Sequence, residues 1–278
     1  MKLATIRTAA GTAAVRIEAE QAVEVGAADV SELLRRDGWR EQAAAAAGLR
    51  HQLAGLTYAP LVPSPRKIIC VGLNYRSHIL EMGRELPSYP TLFAKFANAL
   101  LGANDDIMLP SVSDQVDWEA ELGVVIGAAL RRASAGQAAA AIAGYTIVND
   151  VSMRDWQWRT SEWLQGKTFE ASTPVGPWLV TSDEIDVGQL DLCCDVDGDN
   201  RQHANTSDLL FSPAKIAAYT SQFTTLEPGD LIATGTPGGV GAGREPKVFL
   251  QDGQTLTTAI EGLGQLRNTC VAEPAEPR

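Results

Sequence analysis

The run Asp117-Trp118-Glu119-Ala120-Glu121-Leu122 sets three carboxylates at alternate positions. Leu122, Val124 and Ile126 continue the alternation, and the β-branched content marks a strand. Side chains of like parity share one face of a strand. Asp117, Glu119 and Glu121 therefore project together, while Trp118, Ala120, Leu122, Val124 and Ile126 point into a core. Three like charges on one face repel unless something positive sits among them. A hard divalent cation, which prefers carboxylate oxygens, is one remedy. An edge strand with a wet acidic face is the other. Spacing alone does not separate the two.

Further residues could do chemistry. His78 and Glu81 are three apart, so they share a face if Ser77 or a neighbour caps a helical turn. A carboxylate bonded to one imidazole nitrogen fixes the tautomer and raises basicity at the other. That is the orienting geometry of a general base; a surface pair of no consequence is the alternative. Asp150 ends an apolar run, a position suited to a metal ligand, and Arg154 beside it could grip a substrate carboxylate bidentately. An N-cap or helix-surface role would also account for both. Lys95 shares parity with Phe93, so it points inward or ends the strand in solvent. Gly166-Lys167-Thr168 is not a phosphate loop, because Ser161 stands where the motif needs glycine. Asp195 to Asn200 fails as a calcium loop in the placing of its glycine and closing acid; Asp197-Gly198 reads as a hairpin turn. The glycine-rich stretch 235–241 offers bare backbone N–H groups as an anion nest, or is a wide turn.

The elements that must position these residues follow from patterning. Residues 3–25 alternate on either side of Ala10-Gly11-Thr12 as a hairpin. Asp29 caps a short helix through Leu33 and Leu34, and alanine-rich residues 41–53 favour a helix. Pro60, Pro63 and Pro65 mark an extended linker. A small cap domain (residues 1–62) is therefore expected before a larger unit (residues 63–278). In that unit, strands are expected at 68–72, 90–96, 143–150, 173–180, 231–234, 248–250, 256–260 and 263–271. Helices are expected after Ser134, after Val151, and from Ser212-Pro213 to about Phe223. The tail, residues 273–278, reads as frayed.

The 278 residues carry a net charge of -11, which argues against a nucleic-acid partner. No apolar run approaches a bilayer span and no signal-like start is present, so a cytoplasmic protein without membrane contact is expected. Four cysteines without a CxxC pattern read as buried free thiols, and three histidines make a zinc site hard to build. Any metal would be held by oxygen.

Together these pieces resemble the fumarylacetoacetate hydrolase family from Lys67 to about Val271. The resemblance is carried by Cys70-Val71-Gly72-Leu73-Asn74-Tyr75 with His78 and Glu81, by Asp117-Trp118-Glu119-Ala120-Glu121-Leu122, and by Asn149-Asp150-Val151-Ser152-Met153-Arg154-Asp155 with Gln157. Gly166-Lys167-Thr168-Phe169 and Thr234-Gly235-Thr236-Pro237-Gly238-Gly239-Val240-Gly241 complete it. It implies an α+β, predominantly β fold, a mixed β-sandwich roll with a small N-terminal α/β cap, assembled as a homodimer. It implies a Mg2+ or Mn2+ ion on Glu119, Glu121 and Asp150, with His78 as base, Glu81 as its orienter and Lys167 neutralising charge. Arg154, Gln157 and Thr236 would contact the substrate, a small 2-oxo or 2,4-dioxo acid. The expected reaction is hydrolysis of a C–C bond in an acylpyruvate or fumarylpyruvate through a metal-stabilised enolate. Decarboxylation of oxaloacetate-like acids, or isomerisation or hydration of 2-oxo acids, would use the same site. A silent, metal-stabilised scaffold is a reading of another class, and Lys167, Arg154 and the glycine loop argue against it. One departure stands out: Glu170-Ala171 follows Lys167-Thr168-Phe169, where aspartate and glycine are commoner in the family.

Overall fold

The computed structural model describes residues 1–274. The chain opens with β1 (Lys2–Thr8), β2 (Gly11–Ile17) and β3 (Gln21–Glu24), an antiparallel meander. Two short helices follow, α1 (Val30–Leu34) and α2 (Trp39–Ala45), then β4 (Arg50–Gln52). Asp29 caps α1 as expected, accepting from Glu32 N at 2.8 Å. The expectation of a helix over 41–53 is corrected: α2 stops at Ala45, and β4 pairs with β3. A backbone bond from Glu24 N to Leu49 O (2.9 Å) leads the chain into that pairing, which outweighs alanine's helical preference.

The middle of the chain gives β5 (Ile68–Gly72), α3 (Arg76–Glu81), β6 (Thr91–Lys95), β7 (Leu100–Leu101) and β8 (Ile107–Leu109). Then come β9 (Val116–Asp117), β10 (Ala120–Ile126), α4 (Ala135–Ala141) and β11 (Ile142–Asn149). The short β12 (Ser152–Met153), α5 (Arg154–Gln157) and α6 (Leu164–Lys167) lead to β13 (Thr173–Thr181). The rest is β14 (Asp191–Val196), β15 (Asp199–Asn205), α7 (Pro213–Ser221), β16 (Leu231–Ala233), β17 (Thr255–Ile260) and β18 (Gly264–Ala272). Asp197 and Gly198, both at positive φ, make the hairpin turn between β14 and β15. The strand expected at 248–250 does not form; Leu250 N makes a single bond to Val116 O.

An eleven-stranded sheet runs β4-β3-β2-β1-β13-β11-β10-β16-β5-β6, with β7 beside β13, and β15-β14-β17-β18-β8 form a second sheet. β10 lies inside the large sheet, between β11 and β16, and is buried throughout. This removes the edge-strand reading of the acidic run. Ala120, Leu122, Val124 and Ile126 on one face of β10, with Trp118 just before it, share one core with Leu192, Leu256, Ile260 and Leu266 of the second sheet. Each such large side chain contributes about 1.5–3 kcal/mol by leaving water. The opposite face, through Val125, Val148 and Ala233, packs with Leu33, Leu34 and Leu61. The architecture is thus predominantly β with a few short helices, the mixed sandwich expected from the sequence. Glu273 is held, its N–H bonded to Leu109 O at 2.9 Å; the end of the supposed frayed tail, residues 275–278, lies outside the described residues.

Candidate functional site

Register explains why distant acids meet. β10 pairs antiparallel with β11, setting Ala120 opposite Asn149 and Glu121 opposite Val148. Asp150 therefore emerges beside the start of β10, and its N–H donates to Glu119 O at 2.8 Å. Asn149 braces the junction: its Oδ1 accepts from Glu119 N and its Nδ2 donates to Thr258. Carboxylate oxygens of Glu119, Glu121 and Asp150 all lie within 4.8 Å of one another, and all three residues are buried. Three convergent carboxylates are an oxygen donor set of the kind Mg2+ and Mn2+ take. These residues fit such an ion.

Asp117 does not join them. The strand breaks between β9 and β10, and its carboxylate instead accepts from Gly241 N (2.7 Å), Ala242 N (2.9 Å) and Arg154 Nε (2.8 Å). Similarly, Glu121 Oε2 accepts from Gly235 N at 2.7 Å. The glycine-rich loop is an anion nest at both ends, and the anions are the protein's own carboxylates.

Three cations are built into the same buried cluster. Lys167 Nζ lies 2.6 Å from Glu119 Oε2 and 2.9 Å from Asp150 Oδ2. Lys95, with its side chain fully buried, holds Asp150 Oδ1 at 2.6 Å. Arg154 spans Asp117, Glu119 (2.5 Å) and Gln157 Oε1 (2.8 Å). Its Nε and Nη1 are thus committed, which corrects the bidentate grip on substrate; Nη2 has no protein partner among the described residues. Burial alone would raise the Asp150 carboxyl, but Lys167 and Lys95 outweigh it and hold it down at about 2. Burial, aided by Asp150 and Glu119, pushes Glu121 well above the usual carboxylate range. For Lys167, desolvation works against the charge, yet Asp150 and Glu119 leave its ammonium favoured. With all four acids ionised against three cations the cluster carries one net negative charge, and a divalent ion would turn it net positive, suited to an anionic substrate.

Above this floor opens a cavity of about 480 Å³ lined by His78, Glu81, Glu119, Arg154, Gln157, Lys167 and Thr236, among others. Glu121 and Asp150 sit beneath it, fully buried. α6 delivers Lys167 because Gly166 lets it press on α5: a Cβ there would stand 2.4 Å from Gln157 N. α3 carries His78 and Glu81 on its cavity face. Its first turn is capped not by Ser77 but from a distance, with Ser77 N donating to Asp208 Oδ2 at 3.0 Å. His78 and Glu81 both abut Gly238, where an added Cβ would lie 3.2 Å from His78 Nδ1 and 3.4 Å from Glu81 Oε2. No hydrogen bond joins the pair among the described residues. Burial lowers the His78 imidazole below its ordinary value, with Glu81 pulling the other way, so the uncharged ring is favoured. Thr236 Oγ1 accepts from Gln202 Nε2 (2.8 Å), while Gln202 Oε1 accepts from Ala120 N, tying the loop to β10.

Sequence reasoning left Lys95 unassigned and missed Gln202. Parity with Phe93 was the available signal for Lys95; nothing near Gln202 in the sequence marks it. The four cysteines are free thiols, as expected. No described helix is long and apolar enough to cross a membrane.

A buried triad of carboxylate oxygens thus lies beneath an open cavity with His78 at its rim, a donor set that suits a divalent cation. Residues 67–271 match the family described as fumarylacetoacetate (FAA) hydrolase C-terminal, and the chain belongs to that family of enzymes. It is 45% identical over 219 residues to a protein named oxaloacetate tautomerase FAHD2A, mitochondrial, of Bos taurus, covering 78% of this chain and 70% of that one. A protein named putative hydrolase from Burkholderia cenocepacia is 48% identical over 207 residues, 73% of each chain. Among solved structures, a 5-carboxymethyl-2-hydroxymuconate delta-isomerase from Mycobacterium smegmatis superposes with a TM-score of 0.84 at 34% identity, covering 98% of this chain and 100% of that one.

Proposed function

We propose that this enzyme holds Mg2+ or Mn2+ on Glu119, Glu121 and Asp150 and enolises a small 2-oxo acid, interconverting its keto and enol forms. The observation that carries the reading is the buried carboxylate triad directly below a cavity rimmed by His78. The cation would supply Lewis-acid polarisation of the 2-oxo group. His78 takes a proton from the carbon beside that group, and protonation at oxygen completes the enol. The Lys167 ammonium is placed to neutralise charge as it develops on the oxo oxygen. Arg154 Nη2, Gln157 and Thr236 orient the substrate carboxylate. The relative named as an oxaloacetate tautomerase supports the same class of reaction.

Hydrolysis of a β-diketo acid is the second reading, favoured by Glu81 lying on the cavity face of α3 with His78. There His78 would take a proton from water, and hydroxide would add to the distal carbonyl. The C–C bond would then break to a carboxylic acid and, after protonation, pyruvate. Enolisation stands first because it needs one base and no positioned water. Decarboxylation of oxaloacetate would need the electron sink alone. As in the resemblance, we take the enzyme to be a homodimer; light scattering that returns the mass of one chain would remove that element.

The test follows three readouts with Mg2+, with Mn2+ and after chelation: decay of oxaloacetate enol, pyruvate release from acylpyruvates, and CO2 from oxaloacetate. Enol decay should dominate and vanish on chelation. Glu119→Gln should abolish metal binding, and His78→Ala should keep the metal and lose about 10²–10⁴-fold in rate. Full activity of Glu119→Gln after chelation would falsify the assignment.

A further inference from the structure

Gln202 is a buried residue of β15, in the second sheet, yet it reaches both the acidic strand and the glycine-rich loop. The pairing of β15 with β14 shifts register beside it: Cys194 faces Gln202 and Asp195 faces Asn200, so Arg201 is an extra residue. A bulge of this kind re-aims a neighbouring side chain. The loop comes down on the same point, because a Cβ on Gly239 would collide with Arg201 O.

The hydrogen bonds of the Gln202 amide fix which way round it sits. Its Oε1 accepts from Ala120 N at 3.0 Å, and its Nε2 donates to Pro237 O at 3.0 Å and to Thr236 Oγ1 at 2.8 Å. Turned over, the amide would set its oxygen against the Pro237 carbonyl and its N–H groups against the Ala120 N–H. The sense of the third bond is therefore fixed too: Thr236 Oγ1 accepts. A hydroxyl has one proton of its own to give. Among the described residues no protein acceptor takes that of Thr236, and Thr236 lines the cavity. What is left to receive the proton is the occupant of the cavity.

We propose that Gln202 is a positioning residue that commits the Thr236 hydroxyl to donating, so that Thr236 selects an acceptor-only group, an ionised carboxylate, over an alcohol or an amide N–H. This rests on the enolisation reading, in which Thr236 meets the substrate carboxylate. A hydrogen bond to a charged acceptor is worth more than a neutral one, so a hydroxyl held to one sense gains most from an anion. Ala120, which Gln202 also holds, sits between Glu119 and Glu121. One amide thus ties the donor to the strand that carries two of the three triad acids.

The experiment is a double-mutant cycle of Gln202→Glu and Thr236→Val, read as kcat and KM for decay of oxaloacetate enol, with Mg2+ affinity followed by calorimetry. The new carboxylate still accepts from Ala120 N but draws the Thr236 proton to itself. Each single variant should raise KM about tenfold, the loss of one charge-assisted hydrogen bond, with kcat unchanged, as expected for loss of uniform binding. In the Thr236→Val background Gln202→Glu should add nothing, because the two changes remove the same contact. Mg2+ affinity should match the wild type throughout. Gln202→Met, which removes the donor without adding charge, gives a second cycle with the same expectation should the first variant not fold. Effects that multiply in the double variant, an unchanged KM in either single one, or a loss explained by weaker Mg2+ binding would overturn the role of Gln202 while leaving enolisation intact. A wild type that leaves enol decay at the uncatalysed rate would overturn the enolisation reading and Gln202 with it.

Discussion

As the proposed base, His78 works only while its imidazole is unprotonated, and burial lowers its pKa from the ordinary 6.5. Protonation, and with it loss of the base, therefore sets in below pH 6.5. The kcat/KM profile of the metal-loaded enzyme should be flat through neutrality and fall on the acid side below that value; a limb centred above 6.5 would contradict the burial. Lys95 makes a different demand. It is fully buried against Asp150 Oδ1, and removing one partner of a buried pair leaves the other uncompensated. Lys95→Met should lower unfolding free energy by about 3 kcal/mol, read as a fall in urea midpoint. At this scale type and spacing pointed to Glu119, Glu121, Asp150 and His78, while Lys167 entered only through the family resemblance. Neither could mark what each atom bonds. Arg154 looked like a free fork, but Asp117, Glu119 and Gln157 take Nε and Nη1. Asp117 looked like one of three carboxylates on an acidic face, but a break in strand pairing sent it to the glycine loop. Both outcomes depend on long-range register, which no local pattern encodes.

Elements were legible where periodicity or a cap was strong. The Ser134 and Gln137 capping box, the Asp197-Gly198 hairpin turn and the buried strand β11 all form where their residues say they should. Propensity failed where tertiary contact competed, as in residues 50–52, which leave the alanine-rich helix to pair with β3. The departure at Ala171 now has a physical meaning. Its φ is 47°, a left-handed conformation that β-carbon crowding disfavours. Ala171→Gly should relieve that strain, partly offset by the greater freedom of glycine in the unfolded chain. A net gain of up to about 1 kcal/mol and a small rise in Tm are expected. A drop in Tm would mean that the alanine methyl packs productively.

Across the whole molecule, the proposed division into residues 1–62 and 63–278 separates the cap from the part that matches the family, residues 67–271. The sheet crosses that line. β1 runs antiparallel to β13, Lys2 opposite Val180 and Leu3 opposite Leu179, and Leu61 N bonds Val175 O. The same β13 also pairs with β11, whose end delivers Asp150 to the carboxylate triad. A fragment trimmed to begin after Pro65 would strip β1 from Leu179 and Val180 and Leu61 from Val175, opening that flank of β13 to pairing with another molecule. Shortening this gene product to the part that matches the family would therefore trade an enzyme for a seed of precipitation.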